Sequence, residues 1–121
     1  MMVQLTNAFV TLAASDLDQL VLFYSKLLIQ PQLYIPHRYA EFQLPGLRLG
    51  IFEPKSAHQL EFNQAKSAMS LCLEVVDLEN AIAHLTDIGY PPPGEILTAS
   101  HGKEIYAYDP EENRLILHQS L

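Results

Sequence analysis

The chain has 121 residues, 49% of them apolar and 17% charged, with a net charge of −7. That length supports one compact unit with a real core, and that composition excludes disorder. The negative balance excludes nucleic acid as a partner, since phosphates need Lys and Arg, and is compatible with neutral or cationic small molecules.

In chain order, Thr6 to Ala14 reads as a strand, with Val10 and Leu12 on one face and Phe9, Thr11 and Ala13 on the other. Asp16 then caps a helix, with Gln19 as its capping-box partner three residues on. Leu17, Leu20, Val21, Tyr24, Leu27 and Leu28 recur at helical spacing as one apolar stripe. Pro31 ends the helix. Three short strands follow, around Leu33–Ile35, Tyr39–Leu44 and Leu47–Phe52, punctuated by Pro36 and Pro45-Gly46. From Pro54 to about Ser67 the chain is polar and aperiodic and reads as a connector, although Ala57 to Lys66 would also allow a short irregular helix.

The second half repeats the first. Ser70 to Val75 is a strand, with Leu71, Leu73 and Val75 opposite Ser70, Cys72 and Glu74. Asp77 caps a helix with the stripe Leu78, Ala81, Ile82, Leu85 and Ile88. Gly89 sits where a helix C-terminus wants it, and Pro91-Pro92-Pro93 forbids continuation. Strands near Glu95–Ala99, Lys103–Tyr108 and Asn113–Gln119 complete the half. Asp16-Leu17-Asp18 recurs as Asp77-Leu78-Glu79, 61 positions on, and at that offset Leu12 meets Leu73 and Val21 meets Ile82. The division is a first module over about 4–54, a connector over about 55–67 and a second module over about 68–121, all within one domain.

The last two strands form a hairpin. Asp109-Pro110 opens its turn, because Asp bonds the following backbone and Pro presets φ. Within the two modules, apolar parities pair with the helix stripes, so the other parity faces away from the helices. That face carries Phe9, Thr11, Arg48, Gly50 and Phe52 from the first module, with Tyr39, Glu41 and Gln43. From the second it carries Ser70, Cys72, Glu74, Glu104, Tyr106, Tyr108, Arg114, Ile116 and His118. These residues form the candidate ligand-binding surface, with acids and bases nearly balanced.

Cys72 is the only cysteine, which excludes an internal disulfide and points to a reducing, cytoplasmic setting. No apolar run approaches the ~20 residues of a membrane span. The opening MMVQLTNAFV lacks the basic region of a signal peptide. No membrane partner is expected.

Ser15-Asp16-Leu17 leading to Phe23-Tyr24-Ser25-Lys26-Leu27, and the closing Tyr106-Ala107-Tyr108-Asp109-Pro110-Glu111-Glu112-Asn113, resemble the vicinal oxygen chelate superfamily. That group includes glyoxalase I, extradiol dioxygenases and the fosfomycin and bleomycin resistance proteins. The closing run is similar to the family's aromatic strand and Asp-Pro-Asp-Gly-Asn turn, with Glu112 at the glycine. The resemblance covers nearly the whole chain. It implies an α+β fold of two βαβββ modules, whose sheets curl into a cup with helices outside and ligand inside, and it implies a homodimer.

The resemblance also implies a metal held by His and Glu from the first and last strands of each module. Those positions fall on Phe9, Gly50, Ser70 and Ile116, none a good ligand for a divalent ion. The expectation is therefore no metal and no other cofactor, over a floor lined by Phe9, Phe52 and Ile116. The carboxylates Glu74 and Glu104 are expected to be neutralised by Arg48 and Arg114.

Tyr106 with Arg114 forms the leading pair for a ligand carboxylate or hydroxyl; the competing reading bonds both to Glu74 and Glu104 as a structural network. His118 is either an acid–base group or a solvated strand-end histidine. Cys72 is either a nucleophile or a small buried side chain, with the balance toward the latter. His37, His58, His84 and His101 share no spacing and read as surface residues. Two functions remain. One is a metal-independent protein of the glyoxalase/bleomycin resistance type that binds a small organic ligand. The other is a lyase, isomerase or dioxygenase-like enzyme with Glu74 or His118 as base and Tyr106 as acid.

Overall fold

A computed structural model of the chain describes residue 2 and residues 4–63 and 68–121. The chain divides into two compact units, Met1–Asn63 and Gln64–Leu121, and each repeats the order strand, helix, three strands.

In the first unit, β1 (Val10–Ala13) leads to α1 (Leu17–Leu27), then to β2 (Leu33–Ile35), β3 (Tyr39–Leu44) and β4 (Leu47–Phe52). The spatial order is β1-β4-β3-β2. The β1–β4 pair is parallel and the others antiparallel, with Thr11 opposite Gly50 and Gly50 opposite Glu41. Helix α1 starts where the sequence places it, since the Asp16 side chain accepts from the Gln19 amide at 3.1 Å. A second acceptor comes from far along the chain: Glu53 Oε1 takes the Leu17 amide at 3.0 Å. Leu17, Leu20, Val21 and Tyr24 are buried against Phe42, Leu49 and Ile51 of the sheet's inner parity, and Tyr24 meets Phe42 edge-on. The helix stripe is one residue wider than the periodicity predicts, because Phe23 is buried too, its ring against Tyr24. Leu27 and Leu28 are half-buried.

Two expectations need correction in this unit. The first strand begins at Val10 rather than Thr6, so Phe9 precedes it. The connector is helical in its first part: a 3-10 turn at Ser56–His58 runs into α2 (Gln59–Asn63). Phe62 of α2 packs edge-on against Phe52, centroids 5.2 Å apart. That edge-on contact supports a turn that propensity alone leaves marginal. The expected connector beyond residue 63, to Ser67, lies outside the described residues.

In the second unit, β5 (Leu71–Glu74), α3 (Leu78–Asp87), β6 (Leu97–Ala99), β7 (Gly102–Tyr108) and β8 (Arg114–Ser120) repeat the plan in the order β5-β8-β7-β6. Asp77 caps α3 through the Asn80 amide, and Gln119 Oε1 accepts from Leu78 N at 2.8 Å, as Glu53 does for Leu17. Of the predicted stripe only Leu78 and Leu85 are fully buried; Ala81, Ile82 and Ile88 are half-buried. The hairpin turn is built on Asp109, which is 3% exposed. Its carboxylate accepts from the Glu111 amide, the Asn113 amide and Asn113 Nδ2. Glu112 has φ 66°, the left-handed value expected at the family's glycine.

The fold is therefore α+β, two βαβββ modules with a four-stranded mixed sheet each. No described helix is long and apolar enough to cross a membrane.

Candidate functional site

The register decides which side chains stand abreast. In module 2 the parallel β5–β8 and antiparallel β7–β8 pairs set Cys72, Ile116 and Tyr106 in one row, and Glu74, His118 and Glu104 in the next. Tyr108 stands opposite Arg114. The row at the open end is closed by Ser70, whose hydroxyl accepts from Arg114 Nε at 2.7 Å, while Arg114 Nη2 donates to the Ala68 carbonyl at 3.3 Å. Ala68, Ser70, Tyr106, Tyr108, Arg114 and Ile116 line an open hollow of about 420 Å³. The tyrosines expose 41% and 38% of their surface into solvent, more than their apolar rings would favour in a sealed core.

The predicted network of Tyr106 and Arg114 with Glu74 and Glu104 is not what the chain builds, because Arg114 turns to Ser70 and Ala68 instead. Nor, among the described residues, does Arg114 form an ion pair with either carboxylate. Both carboxylates flank His118, and Arg114 stands two residues before His118 in β8. His118 is 9% exposed, which corrects its reading as a solvated strand end. Its Nδ1 hydrogen-bonds Glu74 Oε1. A carboxylate can only accept, so Nδ1 carries the proton, and in the neutral ring Nε2 presents its lone pair. That bond, ahead of the Ser120 hydroxyl at 3.1 Å, holds the Glu74 carboxyl below its ordinary value of 4.5. His118 Nε2 in turn faces His101 Nδ1 at 2.9 Å, with the rings stacked 5.0 Å apart. His101 is exposed, as expected of a loop histidine, but it is built into this row, which its sequence position gave no signal of. A histidine immediately before the glycine that opens β7 was the cue available, and it makes sense only once register brings it to His118.

Cys72 is exposed, not a buried filler. Partial shielding of the sulfur, and then the charges of Glu74 and Glu104, push its thiol above the ordinary value, which opposes a nucleophilic role.

Module 1 presents the corresponding rows with different chemistry. Arg48 lies over the Phe9 ring, its guanidinium carbon 4.2 Å from the centroid, and its Nε is buried without a hydrogen-bond partner among the described residues. Gly50 leaves space that the Tyr39 hydroxyl takes: a Cβ there would lie 2.9 Å from it. Tyr39 donates to Glu41 Oε2 at 2.7 Å, and Gln32 donates to Glu41 Oε1. The Tyr39 bond first, with Gln32 and Arg48 assisting, holds the Glu41 carboxyl below 4.5. Burial first, then Glu41, pushes Tyr39 up. Thr11 is exposed beside Gly50, and Phe52 is half-covered by Phe62. Asn7, Ala8, Gln43, Gly46, Leu47 and Arg48 border a smaller hollow of about 220 Å³.

The positions that the family resemblance assigns to a metal do not fit one. Phe9 and Ile116 are hydrocarbon, Gly50 is filled by a tyrosine hydroxyl, and the one donor, Ser70, is bonded to a guanidinium.

Neither a scan against protein-family profiles nor a search of curated proteins finds a match by sequence. Solved structures do match by fold. A glyoxalase-related enzyme from Fulvimarina pelagi superposes with a TM-score of 0.76 at 18% identity, covering 96% of this chain and 89% of that one. A genomically encoded fosfomycin resistance protein, FosX, from Listeria monocytogenes gives 0.75 at 18% identity over 100% and 96%. A glyoxalase / bleomycin resistance protein from Catenulispora acidiphila gives 0.70 at 21% identity over 95% and 98%. At such identities the likeness is one of fold. The resemblance read from the sequence holds at that level: the fold is that of the vicinal oxygen chelate superfamily.

Proposed function

We propose that a protein of this fold, with these side chains, binds a small organic molecule of the kind glyoxalase/bleomycin resistance proteins hold, and needs no metal at the family positions to do so. The observation that carries the reading is the hollow of about 420 Å³ lined by Ser70, Tyr106, Tyr108, Arg114 and Ile116. Ile116 and the tyrosine rings offer an apolar floor. Arg114 spends two of its five N–H groups on Ser70 and Ala68, which pins the guanidinium and leaves the rest for a carboxylate or hydroxyl. Glu74, Cys72, Glu104 and His118 border the floor on the same sheet face of module 2.

A thermal-shift screen of aromatic carboxylates, small carbonyl compounds and cationic drugs tests this. Saturable stabilisation without turnover, lost in Arg114→Ala, supports binding. No stabilisation by any class, or stabilisation untouched by Arg114→Ala, sinks the hollow as the site.

A second reading is favoured by the Glu74–His118 hydrogen bond, since a carboxylate-oriented imidazole is how a general base is held in one tautomer. It makes the protein a lyase, isomerase or dioxygenase-like enzyme with Glu74, His118 and Tyr106 as acid–base residues. Turnover of a screened carbonyl compound, abolished by Glu74→Gln, would select it over simple binding.

The two modules are proposed to form one domain and the protein a cytoplasmic homodimer. Supporting the dimer, edge strands β2 and β6 expose Leu33, Tyr34, Ile35 and Leu97 beside unpaired backbone groups. A monomeric mass by light scattering at micromolar protein would reject it.

A further inference from the structure

The geometry points to a binding site for a first-row divalent transition metal in module 2, made by His101, Glu104 and His118, with Glu74 orienting His118. These are not the positions at which the fold family holds its ion. They stand one row along the same sheet face, on β7, β8 and the turn that precedes β7.

Three features carry the site. First, His101, Glu104 and His118 each offer a ligand atom, and the three atoms lie within 4.8 Å of one another. His101 Nδ1 and His118 Nε2 are already 2.9 Å apart. Two nitrogens bound at ~2.1 Å and at right angles about one ion are separated by about 3.0 Å, so the imidazoles sit at the spacing of adjacent octahedral ligands. Glu104 stands opposite His118 in the β7–β8 pair, and it is half-exposed, so its carboxylate is free to turn about its own torsions.

Second, the imidazole that is hardest to move is set up for it. His118 is buried at β8, and its Nδ1–H donates to Glu74 Oε1. That fixes the tautomer whose Nε2 lone pair faces His101. A ligating histidine backed by a carboxylate is the usual support for a metal-bound imidazole. His101 reaches its ligating form by keeping its proton on Nε2 instead of Nδ1. The ion replaces the proton that otherwise bridges the two rings.

Third, the charge is right. Glu104 and Glu74 together offset a dication. Lys103, the nearest lysine in sequence, is drawn away to Glu79 at 2.9 Å. Two imidazoles and one carboxylate suit zinc, nickel, cobalt or ferrous iron and disfavour magnesium and calcium, which take oxygen ligands. His101 is exposed, so further coordination positions open to solvent on the face that carries the Ile116 floor.

This goes beyond the binding reading, does not depend on it, and assigns His118 to an ion rather than to proton transfer. The test is isothermal titration of the whole chain with zinc, nickel and cobalt chlorides, with the visible absorption of bound cobalt as a second readout. One ion per chain is expected, with binding weakened at least ~10-fold in Glu74→Gln and lost, together with the cobalt bands, in His101→Ala. His101 is exposed and in a turn, so that variant keeps its fold, checked by circular dichroism. Absence of saturable binding of all three ions, or binding unchanged in His101→Ala, overturns the site. The organic-ligand screen run in chelator keeps the two readings apart: stabilisation there with no ion binding sinks the metal site alone, and the reverse sinks the hollow alone.

Discussion

The two modules share a backbone register and differ in what they hang on it. Ala13, Phe52 and Tyr39 form a row in module 1 where Glu74, His118 and Glu104 form one in module 2. Thr11, Gly50 and Glu41 correspond in the same way to Cys72, Ile116 and Tyr106. An arginine next to the start of the parallel pair persists in both, but Arg48 lies on the Phe9 ring and Arg114 bonds the Ser70 hydroxyl. On the helix-facing parity the contrast is one of volume: Phe42, edge-on to Tyr24, stands at the register position that Ala107 holds in module 2, and all three are fully buried. The lesson is that strand pairing, caps and the helix stripe hold the frame, while the other parity is free to carry Phe52 and Tyr39 beside Arg48 and Glu41 in one copy and a Glu–His–Glu row in the other.

The sharpest way to break that comparison is to give module 1 the side chain of module 2. Phe42→Ala empties a fully buried ring position under a helix built for it, and should cost about 3–5 kcal/mol by chemical denaturation. A loss below ~1 kcal/mol would mean that Tyr24 refills the space and that the two cores are interchangeable.

The two helix pins give a narrower test. Glu53→Ala and Gln119→Ala each strip one acceptor from the first turn of a helix, and each should lower stability by ~1 kcal/mol. Markedly unequal losses would show that the pins are equivalent in geometry only.

The hairpin turns differ in length, two residues in the first module against five in the second, and in the residue that takes the left-handed φ. The β3–β4 turn has Gly46 at φ 73°, whereas the β7–β8 turn puts Glu112 at 66°. Replacing Glu112 by Gly should therefore raise stability, by up to ~1 kcal/mol, and Gly46→Ala should lower it by a similar amount. A melting temperature that falls in Glu112→Gly would show that the Asp109 network, not the glycine preference, sets that turn.

The smallest effect is the pH dependence that module 1 owes to Glu41. Glu41 titrates below its ordinary value in the folded chain, chiefly through the Tyr39 hydroxyl. Its contribution to stability is thus complete above about pH 4.5 and is lost as pH falls below that, through the lowered folded-state value. Tyr39→Phe should flatten the acid limb of the stability curve there. An unchanged slope would remove the Tyr39–Glu41 bond from the account.

Much of this frame was legible from residues alone. The caps at Asp16 and Asp77 and all three strands of the first module's second part follow from local chemistry that depends on a few neighbours, while the left-handed Glu112 follows from the family turn that the closing run resembles. The pins from Glu53 and Gln119 did not show, because they join residues 36 and 41 apart and nothing at either end marks the partner. Helix α2 was underestimated for a related reason: its support is Phe62 on Phe52, a tertiary contact within a polar stretch. In the candidate site, alternation grouped on one face the residues that the register sets in rows, Cys72, Ile116 and Tyr106 and then Glu74, His118 and Glu104. Partnership was harder. Arg114 was paired with carboxylates by charge, yet Ser70 stands closer in the sheet, and His101 had no periodicity to carry it toward His118.

Gly102 has a consequence for that last histidine. A Cβ built at Gly102 would stand 2.2 Å from the Gln119 carbonyl oxygen, so the two strands touch there through bare backbone. Its φ of 147° closes the position further to any other residue. The contact works as a fixed anchor, and His101 is tethered to it by a single peptide, about 3.8 Å of chain between α-carbons. However far the rest of the β6–β7 turn swings, the His101 α-carbon stays on a leash of that length beside β8. The imidazole can rotate out to solvent and back, but the backbone cannot carry it away, and each return finds His118 in the same place.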